Sequence, residues 1–182
     1  QALSDHLAEQ GIIPEVTALE SDRASGGWAS RTRIDVTVST GRFGMFREGS
    51  REGLPITSMP LAVQEIEELG LWDGSYLTRL ARSIGPLREG QRVRILAPSA
   101  SPVAVSIGGR TFDATGAECS PFAREEVSVG ENSYRYRVRA SGFWQVHREA
   151  PATLIDLVTR AAEVEPGDHI LELYAGAGLL TV

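Results

Sequence analysis

The end of the chain limits its fold more tightly than any other stretch. It reads His169-Ile170-Leu171-Glu172-Leu173-Tyr174-Ala175-Gly176-Ala177-Gly178-Leu179-Leu180-Thr181-Val182. A short apolar run at 170–173 holds one acid, a turn with two glycines follows, and apolar residues come next. That pattern is strand, turn and the opening of a helix. A doubly wound α/β sheet starts this way and needs further strands beside the first. Here the pattern comes last. The expectation is a piece of a larger protein, cut just inside its second domain.

The rest of the chain has a different texture. Residues 31–38 alternate, with Arg31, Arg33, Asp35 and Thr37 on one face and Thr32, Ile34, Val36 and Val38 on the other. A period of two marks a half-buried strand. Residues 41–47, carrying Phe43 and Met45, follow as its hairpin partner. Residues 91–96 and 103–107 read as strands joined by a turn containing Pro98 and Pro102, and 127–129 and 134–138 as two more around Gly130. Helical spacing predicts helices at 2–10 (Leu3, Leu7), 61–71 (Leu61, Val63, Ile66, Leu69) and 76–84 (Leu77, Leu80, Ile84). A strand is expected at 15–19, a loop at 21–27 and a connection at 55–60. A helix at 149–164 places Pro151 in its first turn and Leu154, Leu157, Val158 and Ala161 on one face. The expected class is α+β. Residues 1–140 form a central domain with a largely antiparallel sheet and helices. Residues 141–182 form the N-terminal piece of a truncated Rossmann-like α/β domain.

Composition narrows the function classes. One cysteine, Cys119, excludes an internal disulfide and a cysteine-based zinc site, and no metal site is expected. No apolar run is long enough to span a membrane, and the first residues lack a signal-peptide pattern, so a cytoplasmic protein is expected. The net charge of −6 argues against an indiscriminate nucleic-acid binder. All 18 basic residues are arginine, which codon usage alone accounts for. Their clustering is more informative: Arg31/Arg33, Arg42/Arg47/Arg51, Arg79/Arg82, Arg92/Arg94 and Arg135/Arg137/Arg139. Arginine forks suit phosphate.

Glycines in a strand-to-helix turn let a ligand approach the backbone, and the helix N-terminus offers free N–H groups. A dinucleotide fingerprint needs a third glycine, which Gly176-Ala177-Gly178-Leu179-Leu180-Thr181 lacks. A ligand-free turn has the same spacing. The context is narrower. Glu172-Leu173-Tyr174 before Gly176 and Gly178 resembles the first motif of Rossmann-like S-adenosylmethionine-dependent methyltransferases. Upstream, Gly142-Phe143-Trp144-Gln145-Val146-His147 leads into an amphipathic helix and then this strand. That order resembles the RNA uracil-5-methyltransferases, which make 5-methyluridine in transfer and ribosomal RNA. A fainter resemblance covers 28–33, Gly44-Met45-Phe46-Arg47-Glu48 and the 55–62 connection.

The resemblance implies S-adenosylmethionine as cofactor of the intact parent, with contacts from Gln145, Tyr174, Gly176, Gly178 and Leu179; these residues alone are expected to bind it weakly or not at all, because the strand whose acid holds the ribose is absent. It implies tRNA or rRNA as substrate, with Arg31, Arg33 and Arg47 as RNA contacts. Three positions depart from the family pattern: His147 replaces an asparagine, Ala175 a cysteine, and Met59 stands where one branch has an iron–sulfur ligand. The chemistry requires a cysteine thiolate that adds to carbon 6 of uracil and a base that takes the carbon-5 proton. Cys119 does not match the family's nucleophile motif, so no catalytic residue is assigned and the chain by itself is expected to be inactive. Two other classes stay open: part of a dinucleotide-dependent oxidoreductase, and a non-catalytic RNA-binding module. An unpaired strand at 170–173 is also expected to join two copies into a homodimer.

Overall fold

The computed structural model describes residues 10–11, 19, 26–165 and 167–181. The helix expected at 2–10, the strand at 15–19 and most of the 21–27 loop lie outside the described residues. Six strands form one antiparallel sheet: β1 (Arg33–Ser39), β2 (Arg42–Phe46), β3 (Gly53–Pro55), β4 (Arg92–Leu96), β5 (Ala104–Ile107) and β6 (Arg110–Phe112), in the order β3-β2-β1-β4-β5-β6. A separate antiparallel hairpin pairs β7 (Phe122–Val129) with β8 (Asn132–Arg139). The helices are α1 (Gln64–Glu67), α2 (Ser75–Ile84) and α3 (Ala150–Ala162).

One face of the sheet holds the main core. Ile34, Val36 and Val38 of β1, Val93 and Ile95 of β4, and Phe112 of β6 meet Val63, Ile66, Tyr76, Leu77 and Leu80 from the helical side. The α2 residues recur at helical spacing, and Asp73 accepts the Ser75 backbone N–H at 2.8 Å to start the helix. Tyr76 buries its ring and donates its hydroxyl to the Asp113 carbonyl at 2.7 Å. The expected helix at 61–71 shrinks to α1. Gly70 turns out of it at φ +68°, yet Leu69 and Leu71 still reach the core. Glu67 fixes the preceding connection, accepting from the Met59 N–H at 2.9 Å and the Trp72 indole at 2.8 Å. Gly44 is required where β2 meets β3, since a Cβ there would lie 2.1 Å from the Leu54 carbonyl oxygen.

The other face of the sheet is covered at one end, not left to water. Arg33, expected on a polar outer face of β1, is buried at that end, while Thr37 is buried at the other end beside Gly53 and the Gln91 carbonyl. The β7–β8 hairpin closes over the Arg33 end. Leu96, Ala123 and Ala140 form a small junction core, and Glu125 reaches across to Arg33. The inner side of the hairpin, through Val127, Tyr136 and Val138, packs with Trp144 and Ile155 of α3.

The expected strand at 170–173 does not form: these residues are irregular, with a bend at Leu173 and no ladder partners, and Ile170, Leu171 and Leu173 are 71%, 82% and 71% exposed. A strand needs a neighbour to bond its N–H and C=O groups, and no described strand is placed to serve. The strand that the Rossmann-like expectation places at 170–173 is therefore not formed among the described residues. The helix expectation needs a smaller correction. Ile155 and Pro151 form the buried side of α3, while Leu157 and Val158 of the predicted core face are exposed.

Candidate functional site

The segment between the hairpin and α3 is held from three sides. Its backbone adds to the start of β1: the Thr32 N–H donates to the Val146 carbonyl at 2.8 Å, and the Arg148 N–H to the Ser30 carbonyl at 2.9 Å. Two arginines grip its first carbonyls. Arg94 Nη1 donates to the Ser141 and Gly142 oxygens at 3.0 Å each, and Arg33 Nη1 to Gly142 at 3.4 Å. Trp144 is buried against Tyr136, with ring centroids 5.1 Å apart. Gln145 is thereby placed half-buried in a cavity of about 420 Å³, shared with Thr32, Ser99, Glu126, His147 and Arg148. His147 sits in the same wall, and its Nδ1 accepts the Glu149 N–H at 3.2 Å. The position where the family pattern has asparagine thus still accepts a local backbone hydrogen bond.

Two ion pairs give this grip its strength. Arg33 Nη2 meets Glu125 Oε1 at 3.0 Å, with side chains only 4% and 5% exposed. The Glu125 Oε2 also accepts the Ser99 N–H at 2.9 Å and its hydroxyl at 3.1 Å. Burial pulls the Arg33 pKa down, and the Glu125 hydrogen bond and charge oppose that shift. Arg94 is held by both oxygens of Asp35, at 2.7 and 2.8 Å. This hydrogen bonding raises the Arg94 pKa and holds the Asp35 carboxyl below its usual range.

The glycine turn sits on the far side of the Trp144 cluster. Ala177 and Leu179 pack against it, and the Tyr136 hydroxyl donates to the Leu179 carbonyl at 3.0 Å. Gly176 and Gly178 adopt φ of +59° and +76°, which only glycine takes up without strain. The Gly178 N–H closes the turn on the Ala175 carbonyl at 2.8 Å, and Thr181 hydrogen-bonds Glu172. No helix opens after the turn among the described residues. Tyr174 is left-handed at φ +60° and fully exposed. Gln145 and the turn flank one apolar cluster, but Tyr174, Gly176, Gly178 and Leu179 line no part of the Gln145 cavity.

The three arginines expected at RNA are dispersed. Arg31 is exposed, and its backbone bridges the 61–63 connection. Arg47 is exposed and pairs loosely with Glu52 at 3.3 Å. Arg33 does not reach the surface, because Glu125 takes its charge inside. Burial, with the Asp113 and Glu118 charges behind it, pushes the Cys119 thiol up, away from a thiolate. Sequence reasoning missed Arg94 and Glu125. The alternating pattern of 122–129 was a signal for the second, since it puts Glu125 on the same side as Ala123 and Val127.

Comparison with known proteins bears on this arrangement. No family model matches the chain. An uncharacterized RNA methyltransferase of Bifidobacterium longum is 27% identical over 198 residues, covering 99% of this chain and 43% of that protein. One from Streptomyces coelicolor is 29% identical over 93% of the chain, and one from Streptomyces avermitilis 30% identical over 95%. The chain spans less than half the length of these curated relatives. A similar fold occurs in the Pyrococcus abyssi tRNA (uracil-54, C5)-methyltransferase in complex with S-adenosyl-L-homocysteine, with a TM-score of 0.60, 16% identity, and coverage of 96% of this chain and 49% of that one. Over nearly its whole length the chain is thus similar to proteins named RNA methyltransferases, and it shares the fold of one tRNA methyltransferase structure.

Proposed function

We propose that this chain serves an S-adenosylmethionine-dependent enzyme that methylates carbon 5 of uridine in tRNA or rRNA. The observation that carries the reading is the gripped 141–148 segment, which holds Gln145 in a cavity ahead of an amphipathic helix and a glycine turn. Those residues suit the cofactor in kind. The Gln145 amide both donates and accepts, as the amino-acid end of the cofactor requires. A Cβ built at Gly176 or Gly178 would meet no atom closer than 3.6 Å, so the turn leaves room for a ligand at its backbone. When bound, S-adenosylmethionine supplies an electrophilic methyl group. Tyr174 and Leu179 flank the turn as further contacts, and residues 141–182 begin the domain that binds it.

Uracil carbon 5 is a weak nucleophile until a thiolate adds to carbon 6. The sole cysteine, Cys119, is held as a thiol and lies apart from the Gln145 cavity. Cys119 is therefore not the nucleophile of the proposed reaction, and the resemblance implies that nucleophile and base lie outside these 182 residues, so that the chain alone transfers no methyl group. Arg31 and Arg47 present charge to the RNA, while Arg33 acts indirectly by positioning Gly142. The cytoplasm, where such RNA is matured, is the proposed location.

The test uses the full-length gene product with methyl-labelled S-adenosylmethionine and unmodified tRNA and rRNA. Nucleoside digestion should place the label in 5-methyluridine. Label in another nucleoside, or none, rejects the reading.

A further inference from the structure

Four of the arginines stand together on a surface that the function above leaves unused. The outer face of the β7–β8 hairpin presents Phe122, Arg124, Glu126 and Ser128 on one strand and Ser133, Arg135, Arg137 and Arg139 on the other. One carboxylate thus faces four guanidinium groups, in a chain whose total charge is −6. Glu126 is engaged by Arg135 at 3.7 Å and by the Ser133 hydroxyl at 2.7 Å. No carboxylate among the described residues pairs with Arg124, Arg137 or Arg139. Arg124 and Arg137 are direct cross-strand partners. Like charges placed so destabilise a hairpin, which makes this pair a cost to the fold unless an anion relieves it. The Phe122 ring orders the group further: the Arg137 and Arg139 guanidinium carbons lie 3.9 and 5.1 Å from its centroid. Stacked guanidinium groups lose little freedom when they bind, and their forks match phosphate oxygens.

We propose that this face is a docking surface for the phosphodiester backbone of the RNA substrate, with Arg124, Arg137 and Arg139 as its phosphate contacts. The proposal rests on the RNA methyltransferase reading for its partner. The strand spacing of about 4.8 Å puts the three guanidinium groups within reach of adjacent phosphates of one RNA strand. Such contacts hold the RNA in place and carry no base sequence.

The test measures RNA binding by the full-length gene product, using fluorescence anisotropy with a uridine-containing stem–loop between about 50 and about 200 mM salt. The triple variant Arg124→Gln/Arg137→Gln/Arg139→Gln should reduce the slope of log K against log salt by roughly 2–3, at about 0.7–0.9 per contact. The triple lysine variant should keep most of the slope, and Arg110→Gln, whose guanidinium is occupied by Glu118, should change nothing. Arg124→Glu separates the roles. It places a carboxylate opposite Arg137, so thermal stability should hold or rise while RNA binding weakens. Unchanged affinity and slope in the glutamine triple overturns the proposal, as does a wild-type protein that binds no RNA. Methyl transfer at saturating RNA reads the other proposal separately. Transfer by both wild type and triple with no change in binding sinks only the docking surface. A loss of binding in the triple with no transfer by the wild type sinks only the methylation reading.

Discussion

The sheet half of the molecule and its C-terminal stretch both carry apolar runs in sequence and are opposite in structure. Phe43, Phe112, Tyr76 and Leu80 are fully enclosed, whereas Ile170, Leu171 and Leu173 stand in water. The contrast shows what hydrophobic patterning can and cannot do. Phe112 lies on β6, whose ladder partner β5 and covering helix α2 belong to the same chain. Residues 170–173 carry the signature of a strand buried on both faces, but no described strand offers them hydrogen bonds. The largest expected effect tests this contrast. Phe112→Ala should lower unfolding free energy by about 3–5 kcal/mol in urea titrations, and Leu171→Ala should stay within about 0.5 kcal/mol. In any longer gene product with strands that pair 170–173, Leu171→Ala should rise to about 2–5 kcal/mol. An equal, small cost in both proteins would mean that 170–173 is not a core strand at all.

The Arg33–Glu125 pair joins the six-stranded sheet to the β7–β8 hairpin, on which the C-terminal turn packs. Removing one member of a buried pair leaves the other charge unpaired, which costs about 3–5 kcal/mol. Glu125→Ala should therefore destabilise the protein nearly as much as Phe112→Ala. Hydrogen exchange should localise the damage to the hairpin and the 141–148 segment, with α2 last to open. Uniform loss of protection would show that the hairpin and the sheet unfold as one unit and not as a sheet with a docked extension.

Much of the sheet was readable from residues because it is local. The alternation of Ile34, Val36 and Val38 gave β1, and the spacing of Leu77 and Leu80 gave α2 within one residue. β3 and β6 were missed, since three-residue edge strands such as Gly53–Pro55 carry too few side chains to show a period. β7 was read as three residues instead of eight, because Glu125 interrupts its apolar face. That same acid explains the misplacement of Arg33. A period of two tells which residues share a face, but not whether another element will cover it. The family motif pointed to Gln145 and the glycine turn, and both border the Trp144 cluster. What brings both to that cluster is tertiary packing, which is not written in either segment.

The turn is tied to the hairpin by one hydrogen bond and two small apolar contacts, so a modest effect is expected there. Tyr136→Phe removes the hydroxyl that holds the Leu179 carbonyl at 3.0 Å. The loss should be about 1 kcal/mol or less in global stability. Amide exchange across 175–181 should speed up while the β7–β8 amides hold. If those hairpin amides speed up equally, the turn is an integral part of the hairpin core and the contrast between the two regions is softer than the exposures imply.

The smallest effect comes from Asp35 and Arg94, on the sheet side of the gripped segment. Hydrogen bonding to Arg94 lowers the Asp35 pKa in the folded state. A depressed folded value means that the unfolded chain binds the proton more tightly. The pair's contribution is therefore complete above the unfolded carboxyl pKa of about 3.9 and is lost as pH falls through the folded value. The Asp35 side chain is 59% exposed, so solvent screening limits this to less than about 1 kcal/mol. Asp35→Asn should cost that much at about pH 7, with the gap to wild type closing as the solution is acidified to about pH 2. Arg94 would still donate to Ser141 and Gly142 in the variant, so exchange at 141–148 should change little. A gap that persists at low pH would assign the cost of the substitution to packing, and the carboxylate would then contribute orientation of Arg94 without charge.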